Sequence, residues 1–399
     1  MRGAAGSRRG RPGARESIMD AIRASEPLSR VELAAMTGLT EAAVSMTVRR
    51  LLGEGLIVET GRTPTAGKPR TLLRLDPGAR IAVGIYLDEL TTTYVLTGQT
   101  GGILSRLARP APDTADRPAL LRALVADVNL LLAGSGVDPD RCLGVGVVWP
   151  AAPHSRPEDG PARLHGWRGD DLGRELEKAT GWPVLVENDA TAAAVGEYWV
   201  ARVGPDQAFA ALYMGTGLGA GIVLDGRAMR GGRGHAGEFG HLCVQTDGPP
   251  CWCGGRGCLE ALAGPRTVVG AALADPRAAG EAGLVPAGPR RSVADDFAAV
   301  ARAARGGAPC CRDLLEDSAR HVAAAAESVV NLIDLDLVVL TGPGFAAASF
   351  IYGPAIMRRI GAADTRTWHR SVTVTVSLAA ATASATGAAA LVLQSHLRR

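Results

Sequence analysis

The sequence predicts an α/β protein in two parts: a small N-terminal helical domain, and a larger domain of two similar lobes. Three observations support this fold class. Between residues 16 and 53, apolar residues recur at helical spacing and are separated by cap signals. From residue 81 onward, short β-rich segments alternate with helical segments. The charge also changes along the chain, because residues 1–80 carry 14 Lys and Arg against 8 Asp and Glu, whereas the whole chain has 43 against 40.

The composition is that of a globular protein. The chain has 399 residues, of which 47% are hydrophobic and 21% are charged, and this length suffices for more than one hydrophobic core. No run of about 18 apolar residues stands out as a bilayer span, and the basic N-terminus lacks the apolar region of a secretory signal. We therefore expect a cytoplasmic protein with no membrane partner. Its seven cysteines, an odd number, argue against a disulfide framework in that reducing compartment.

The first 15 residues are predicted to form a basic, disordered arm, and residues 16–76 a winged helix-turn-helix domain. After a first helix, Ser29 begins a second helix that ends at Gly38, and Thr40 caps a third. A tight turn between the last two helices is typical of a helix-turn-helix. The stretch LIVETGRTPTAGKPRTLLRLDP then reads as two β segments around a turn rich in Gly, Pro and basic residues. This stretch predicts the wing.

A basic winged helix-turn-helix predicts double-stranded DNA as a partner. One face of the third helix is apolar, while the opposite face presents side chains of the size that reach base edges, and the basic residues of the wing are placed for phosphate or minor-groove contact. The predicted DNA-binding residues are Ser45, Met46, Arg49, Arg62, Lys68 and Arg70. Two other interpretations stay open: a helical oligomerisation module, and a solvated basic segment without a partner.

The break at Asp76, Pro77 and Gly78 separates this domain from a second one that begins at residue 81. IAVGIYLDEL, TTTYVLTG and GGILSRL alternate with short turns, as in a β-meander. Helices are predicted over 118–133, 170–180 and 190–202, and strands over 142–149 and 184–188. FAALYMGTGLGAGIVL reads as a hairpin, and DLDLVVLTGPG and SVTVTVSL supply late strands. Strands and helices mixed on this scale predict two similar lobes with a cleft between them.

The loop 241–258 gathers potential metal ligands. They are His241, Cys251, Cys253 and Cys258. Three thiolates and one imidazole complete a tetrahedral zinc shell and leave no position open for water, so the predicted Zn²⁺ site is structural. Cys243 would point to the other side of an extended segment and is left out of the shell. The alternative is a mobile loop with free thiols.

These motifs resemble the ROK family of bacterial repressors and sugar kinases, which is built on the actin-like ATPase fold. The segment GHAGEFGHLCVQTDGPPCWCGGRGCLE, residues 234–260, is similar to the sugar and zinc signature of the family. VENDATAAAVGE (186–197) resembles the segment with the catalytic aspartate of the kinases, and YMGTGLGAGIVLDG their second phosphate loop. A preceding winged helix is the arrangement of the repressor branch. The resemblance thus implies an actin-like two-lobed domain over residues 81–399.

The resemblance also implies a sugar site around the zinc loop. In the family, the histidine at the position of His241 binds zinc through one ring nitrogen, and its other side faces the sugar together with Glu238 and Glu260. Asn188 and Asp189, the latter at the position of the kinase base, complete the set. Carboxylates and an amide suit a neutral polyol, since each can form paired hydrogen bonds with adjacent hydroxyls. Without the resemblance, Glu260 reads as a solvated carboxylate, and Asn188 and Asp189 as a helix cap.

The first phosphate loop of the family kinases is degenerate in this chain. The kinases have an aspartate followed by a Gly-Gly-Thr turn, which cradles phosphates and holds magnesium. Here Tyr86 stands at the aspartate position, and Asp88, Glu89 and Leu90 replace the turn residues. Two carboxylates near a triphosphate repel it by about 1 kcal/mol or more per charge pair. We therefore expect no ATP binding and no catalysis, with a ROK-type ATP-dependent sugar kinase as the alternative.

Two further segments depart from the family pattern. VVWPAAPHSRPEDG stands in place of a Pro-Gly segment, and His165, Gly166 and Trp167 in place of an Asn-Gly-Trp-like sugar contact. The identity of the ligand therefore stays open, as does the presence of one. The sequence predicts a ligand-responsive transcriptional regulator: a repressor of carbohydrate-related genes that senses a sugar or sugar derivative and acts as a homodimer or dimer of dimers. A regulator controlled by a protein partner is a further alternative.

Overall fold

The computed structural model describes residues 13–63, 69–111, 116–150, 167, 169–204, 206–285, 291–361 and 371–397. Within these ranges the chain forms a winged helix-turn-helix followed by two lobes, each built on a five-stranded sheet. The predicted α/β class, with its order of domains, is confirmed.

The N-terminal domain consists of three helices and a β-hairpin wing. Its elements are α1 (Ala14–Ser25), β1 (Leu28–Ser29), α2 (Arg30–Thr37), α3 (Glu41–Gly53), β2 (Ile57–Thr63) and β3 (Arg70–Leu75). Ser29 and Glu32 form a capping box at the start of α2, and Gly38 ends that helix in the left-handed conformation with φ 66°. Thr40 caps α3 through the N–H of Ala43. The helix signals of the sequence therefore act as predicted.

The first lobe is built on a sheet with the strand order β6-β5-β4-β7-β8. Its elements are β4 (Ile81–Leu87), β5 (Thr91–Gly98), β6 (Ile103–Pro110), α4 (Arg117–Ser135), β7 (Cys142–Trp149), α5 (Gly169–Thr180) and β8 (Val184–Asn188). Strands β4 to β6 are antiparallel, and β7 and β8 continue parallel to β4. Among the described residues, α4 alone has the length and apolar composition of a membrane-crossing helix. Its Leu120, Leu124 and Val128 pack into the core of this lobe.

The second lobe repeats this topology, with the strand order β11-β10-β9-β12-β13. Its strands are β9 (Phe209–Met214), β10 (Leu218–Leu224), β11 (Arg227–Ala228), β12 (Leu337–Thr341) and β13 (Thr373–Val376). Its helices are α7 (Leu259–Ala263), α8 (Pro265–Ala274), α9 (Pro276–Ala282), α10 (Val293–Arg305), α11 (Pro309–Ile333) and α12 (Pro343–Gly361). Strands β9 to β11 are antiparallel and β12 and β13 are parallel to β9, as in the first sheet. The two lobes are therefore similar, as predicted.

Two helices, α6 (Asp189–Val200) and α13 (Ala383–Leu397), pack closely against each other and against the sheets. A Cβ atom on Gly387 would lie 1.7 Å from the carbonyl oxygen of Ala192, and one on Gly84 of β4 would lie 1.9 Å from that of Ala385. Glycine is needed at both positions because the backbones are in contact. The close packing holds α6 in place along its whole length.

The winged helix-turn-helix domain is docked on the C-terminal end of α6. Arg23 of α1 is only 2% exposed, and its guanidinium donates to the carbonyl oxygens of Tyr198 (2.7 Å) and Val203 (2.8 Å) and to Asp20 (2.8 Å). It also lies 4.0 Å from the ring centroid of Tyr198, whose hydroxyl donates to Asp20 over 2.6 Å. We call Asp20, Arg23 and Tyr198 the Arg23 clamp. It ties the N-terminal domain directly to the helix that begins at Asp189.

Candidate metal and sugar site

Loop 241–258 brings the four predicted metal ligands together. Nδ1 of His241 lies 3.7 Å from Sγ of Cys251, the Sγ atoms of Cys253 and Cys258 are 3.7 Å apart, and all four ligand atoms lie within 4.8 Å of one another. A tetrahedral zinc with Zn–S bonds of about 2.3 Å separates its sulfur ligands by about 3.8 Å. The donor set therefore fits a closed Zn²⁺ site, and Cys243 is outside the cluster, as predicted.

The glycines of the loop are what bring the last cysteine back to the first two. Gly257 has φ 65°, and a Cβ atom there would lie 1.6 Å from the carbonyl oxygen of Gln245. The N–H of Gly255 points at Sγ of Cys253 over 3.4 Å. Such an N–H to sulfur contact stabilises a thiolate ligand. The backbone of the loop is thus arranged to hold the four ligands of a metal shell.

Glu260 follows the last cysteine ligand and is buried, so its interpretation as a solvated carboxylate is wrong. It lies in the first turn of α7, where its Oε2 accepts the N–H of Leu218 over 2.7 Å. Burial raises the pKa of this carboxyl to about 7, although the N–H of Leu218 and the charge of Arg266 act in the opposite direction. Cβ atoms on Gly217 and Gly240 would come within 3.2 and 2.9 Å of its carboxylate oxygens. Glu260 therefore connects the zinc loop to the first residue of β10.

Asn188 and Asp189 lie together where β8 passes into α6. The Oδ1 of Asn188 accepts the N–H groups of Ala190 (2.9 Å) and Thr191 (3.0 Å), and its Nδ2 donates to Oδ1 of Asp189 (3.2 Å). Asn188 therefore acts as a helix cap, the alternative that the sequence left open. Asp189 is buried, and burial raises the pKa of its carboxyl to about 7, with the negative charges of Asp88 and Glu238 adding to the shift.

Two tyrosines lie beside Asp189. Tyr86, at the end of β4, lies close to Tyr213 at the end of β9, and burial raises the pKa of both hydroxyls. A Cβ atom on Gly215 would lie 2.8 Å from Cε1 of Tyr213, so the ring packs against the backbone of the glycine-rich hairpin. Tyr213 was missed in the sequence because it reads as an ordinary strand residue. We call Tyr86, Asp88, Asp189 and Tyr213 the closed end of the site.

Two further carboxylates near the site, Glu238 and Glu187, have nitrogen-bearing partners. Glu238 is half exposed, and its Oε1 lies 3.6 Å from Nδ1 of His235. Glu187, next to Asn188, accepts from Nε of Arg230 over 2.6 Å. Arg230 was also missed, since nothing local distinguishes it from other arginines. Of the three residues that replace the family's Asn-Gly-Trp-like sugar contact, Trp167 is buried in the core of the first lobe, and His165 and Gly166 lie outside the described residues.

The predicted DNA-binding residues lie on one helix and one hairpin. Helix α3 buries Val44, Val48 and Leu51. On its other faces Met46 and Arg49 are exposed and Ser45 is half-buried. In the wing, Arg62 lies opposite Thr71 and Arg70 lies opposite Thr63 in the register of β2 and β3, and both arginines are exposed. Lys68 lies outside the described residues.

These features define a class of protein. It has a two-lobed domain with duplicated sheet topology, a Cys₃His loop beside a group of carboxylates, and a winged helix-turn-helix at its N-terminus. Residues 84–395 match the model of the ROK family. The chain belongs to the ROK family, and its winged helix together with its xylose repressor relatives supports the repressor branch.

Both repressors and sugar kinases of this family are similar to this chain. The xylose repressor of Bacillus subtilis (strain 168) is 27% identical over 254 residues, which are 63% of this chain and 66% of the repressor. The glucokinase of Streptomyces coelicolor is 30% identical over 267 residues, 66% of this chain and 79% of the kinase. The crystal structure of a ROK family transcriptional regulator, a homologue of the E. coli MLC protein, has a TM-score of 0.71 at 24% identity, and the match covers 97% of this chain and 98% of that one. The last match shows that the fold extends through the N-terminal domain.

Proposed function

We propose that this protein is a sugar-responsive transcriptional repressor. Its winged helix-turn-helix would bind operator DNA through Ser45, Met46 and Arg49 in the major groove and through the basic wing on the backbone. One structural observation carries the proposal: the DNA-binding domain is docked on α6, and the other end of α6 contributes Asp189 to the candidate sugar site. The xylose repressor relatives support the same function.

The sugar would bind among Asn188, Asp189, Glu238, His241 and Glu260. Carboxylate oxygens accept hydrogen bonds from sugar hydroxyls, and a neutral His241 held by zinc offers its second ring nitrogen. Asn188 would contribute only through its Nδ2 group, because its Oδ1 caps α6.

We further propose a structural Zn²⁺ bound by His241, Cys251, Cys253 and Cys258. When bound, the zinc would fix the loop, and with it the first turn of α7 and Glu260. We also propose that the protein is cytoplasmic, where thiols stay reduced. We further propose that it acts as a homodimer or dimer of dimers and binds a pseudo-palindromic operator with half-sites about one or two helical turns apart.

DNA selection followed by a sugar challenge tests this function. Genomic fragments retained by the full-length, zinc-loaded protein should contain a shared pseudo-palindrome. One member of a panel of free pentoses and hexoses should then release the protein from this DNA. Glu238→Ala should retain zinc and DNA binding but lose the release, whereas Glu59→Ala, an exposed carboxylate of the wing, should respond normally. Failure to retain any specific sequence would contradict the DNA-binding function. Normal release from Glu238→Ala would show that the sugar binds elsewhere.

We propose that the protein has no kinase activity. Tyr86, Asp88 and Glu89 occupy the positions where the kinases have an aspartate and two glycines, and the tyrosine lies close to Tyr213. A coupled assay with ATP and a panel of hexoses, pentoses and amino sugars should show no turnover above background. The triple variant Tyr86→Asp, Asp88→Gly, Glu89→Gly is expected to recover nucleotide binding, measured by fluorescence of a labelled ATP analogue. Robust turnover by the native protein would establish the kinase function instead.

A further inference from the structure

We propose that Cys243 and Cys258 form a disulfide when the protein meets a peroxide, and that this oxidation removes one ligand from the zinc loop. The inference rests on the proposed zinc site and adds a redox response to it. Three observations carry it: the register that places the two cysteines opposite each other, the exposure of Cys243, and the place of Cys258 in the metal cluster.

Cys243 and Cys258 lie directly opposite each other, as an antiparallel β-bridge within the zinc loop. Two backbone hydrogen bonds flank the bridge, each 2.9 Å long: the N–H of Val244 donates to the carbonyl oxygen of Gly257, and the N–H of Leu259 to that of Leu242. This is the pattern of a non-hydrogen-bonded pair, in which the Cα atoms are about 4.5 Å apart and both Cβ atoms lie on the same face. The two thiols therefore start from neighbouring positions on one face of the loop.

The spacing of such a pair suits a disulfide. A disulfide requires Cα atoms about 4.4 to 6.8 Å apart and Cβ atoms about 3.5 to 4.5 Å apart. The Cβ atoms of directly opposite residues are about 4.5 to 5.5 Å apart, with the shorter distances in non-hydrogen-bonded pairs. Gly257 keeps the two segments in contact beside the pair, since a Cβ atom there would lie 1.6 Å from the carbonyl oxygen of Gln245. Rotation of the two side chains, with a small backbone adjustment, therefore brings the sulfurs into bonding distance.

Cys243 is the accessible thiol of the pair. Its side chain is exposed, whereas Cys258 is only 3% exposed. Among the described cysteines Cys253 is the other exposed one, but its Sγ belongs to the metal cluster. A thiol that solvent can reach and that no metal occupies is open to oxidation. A peroxide therefore reaches Cys243 first.

The reaction takes two electrons from the two sulfurs and consumes one molecule of hydrogen peroxide. The Cys243 thiolate attacks one peroxide oxygen, the O–O bond breaks and hydroxide leaves, so that Cys243 becomes a sulfenic acid. The Cys258 thiolate then attacks the sulfur of this sulfenic acid, the S–O bond breaks, a second hydroxide leaves and the S–S bond forms. Both hydroxides take up a proton from solvent to give water. The sulfur of Cys258 has then given its electron pair to the disulfide and no longer serves as a metal ligand.

Loss of this ligand opens the zinc site and affects the candidate sugar site. His241, Cys251 and Cys253 remain, and three ligands do not close a tetrahedral shell. Cys258 is also the residue that precedes α7, in whose first turn Glu260 lies. Oxidation therefore acts both on the loop that holds His241 and on the helix that holds Glu260.

Zinc release under peroxide tests this inference on the full-length, zinc-loaded protein. Hydrogen peroxide is added, the released zinc is followed with a chromogenic chelator, and the disulfide is mapped by mass spectrometry of proteolytic peptides. The native protein should release about one zinc per chain and contain a disulfide between Cys243 and Cys258. Dithiothreitol with added zinc should reverse both changes, because a disulfide is a reversible oxidation product.

Two variants identify the thiol that responds. Cys243→Ser should release its zinc at least about tenfold more slowly than the native protein, because it lacks the exposed thiol that the peroxide reaches first. Cys310→Ser changes a half-buried cysteine on α11 and is the matched control. It should release zinc at the native rate.

Three results would overturn the inference: zinc that stays bound in the peroxide-treated native protein, release from Cys243→Ser at the native rate, or a disulfide between Cys253 and Cys258 in place of the expected one. The last pairing is the main competitor, because those two sulfurs are 3.7 Å apart. Protein purified without zinc would contradict the proposed zinc site. The presence or absence of the disulfide between Cys243 and Cys258 would then still decide the pairing.

Discussion

Substitution of Arg23 by methionine tests whether the DNA-binding domain is fastened to α6. Methionine keeps an unbranched apolar chain but removes the hydrogen bonds to Asp20 and to the carbonyls of Tyr198 and Val203. The two carbonyls then lose the guanidinium donor, while Asp20 keeps its hydrogen bond from the Tyr198 hydroxyl. Removal of one partner from a buried charge pair costs about 3 to 5 kcal/mol. We expect the unfolding free energy of the transition that includes the N-terminal domain to fall by that amount.

Urea unfolding followed by tryptophan fluorescence measures this loss, because Trp199 lies 5.5 Å from the Arg23 guanidinium and reports on the interface. Arg50→Met is the control: Arg50 is exposed and pairs with Glu54, the residue that follows α3, so its loss should cost only about 0.5 kcal/mol or less. Tyr198→Phe, which removes one hydrogen bond to a carboxylate, should cost about 1.5 to 3 kcal/mol. A loss below about 1 kcal/mol in Arg23→Met would refute a buried, charge-assisted clamp.

Three further predictions address the metal, the DNA and the pH dependence. Purified protein should contain close to one zinc per chain by mass spectrometry, and Cys253→Ser should lose the zinc while Cys243→Ser keeps it. Native protein that contains no metal would contradict the proposed zinc site. Operator affinity should fall steeply with salt, and Arg70→Ala should reduce the slope of log K against log salt by about 1. Arg49→Ala should instead change the preferred base in the selected operator, and an unchanged preference would exclude it from base contact. Burial raises the pKa of Asp189 from 3.8 to about 7. Between pH 4 and pH 7 the folded protein therefore holds a proton on this carboxyl that the unfolded chain has released. The contribution of Asp189 to the free energy of unfolding consequently falls as the pH rises from 4 to 7. Asp189→Asn should flatten that part of the profile in urea titrations, and an identical profile would mean that the carboxyl is ionised throughout.

The features that could be predicted from the sequence are those set by local chemistry. Ser29, Gly38 and Thr40 mark helix ends because the capping groups lie within three or four residues of the N–H and C=O groups that they satisfy. The zinc loop could be predicted for the same reason, since the Cys₃His ligands lie within 18 residues of one another and this set of ligands is typical of a structural zinc site.

Long-range contacts could not be predicted. Arg23 and Tyr198 are 175 residues apart, and a lone arginine in an amphipathic helix looks like a solvated charge. Tyr86 and Tyr213 come from different lobes, and their proximity follows from the packing of the lobes, which no local pattern encodes. Asn188 shows a different difficulty: the same residue type suits a sugar contact and a helix cap, and only its hydrogen bonds reveal that its Oδ1 serves as the cap.

The most direct test of sugar-responsive DNA binding is to measure the coupling in both directions. Operator affinity is measured by fluorescence anisotropy without sugar and at saturating sugar, and sugar affinity is measured by calorimetry with and without operator. Because the two binding equilibria belong to one thermodynamic cycle, the two factors must be equal, and we expect a change of about 5-fold to 150-fold. Glu238→Ala should bring both factors close to 1. A sugar that binds tightly at the site yet leaves operator affinity unchanged would contradict the proposed function.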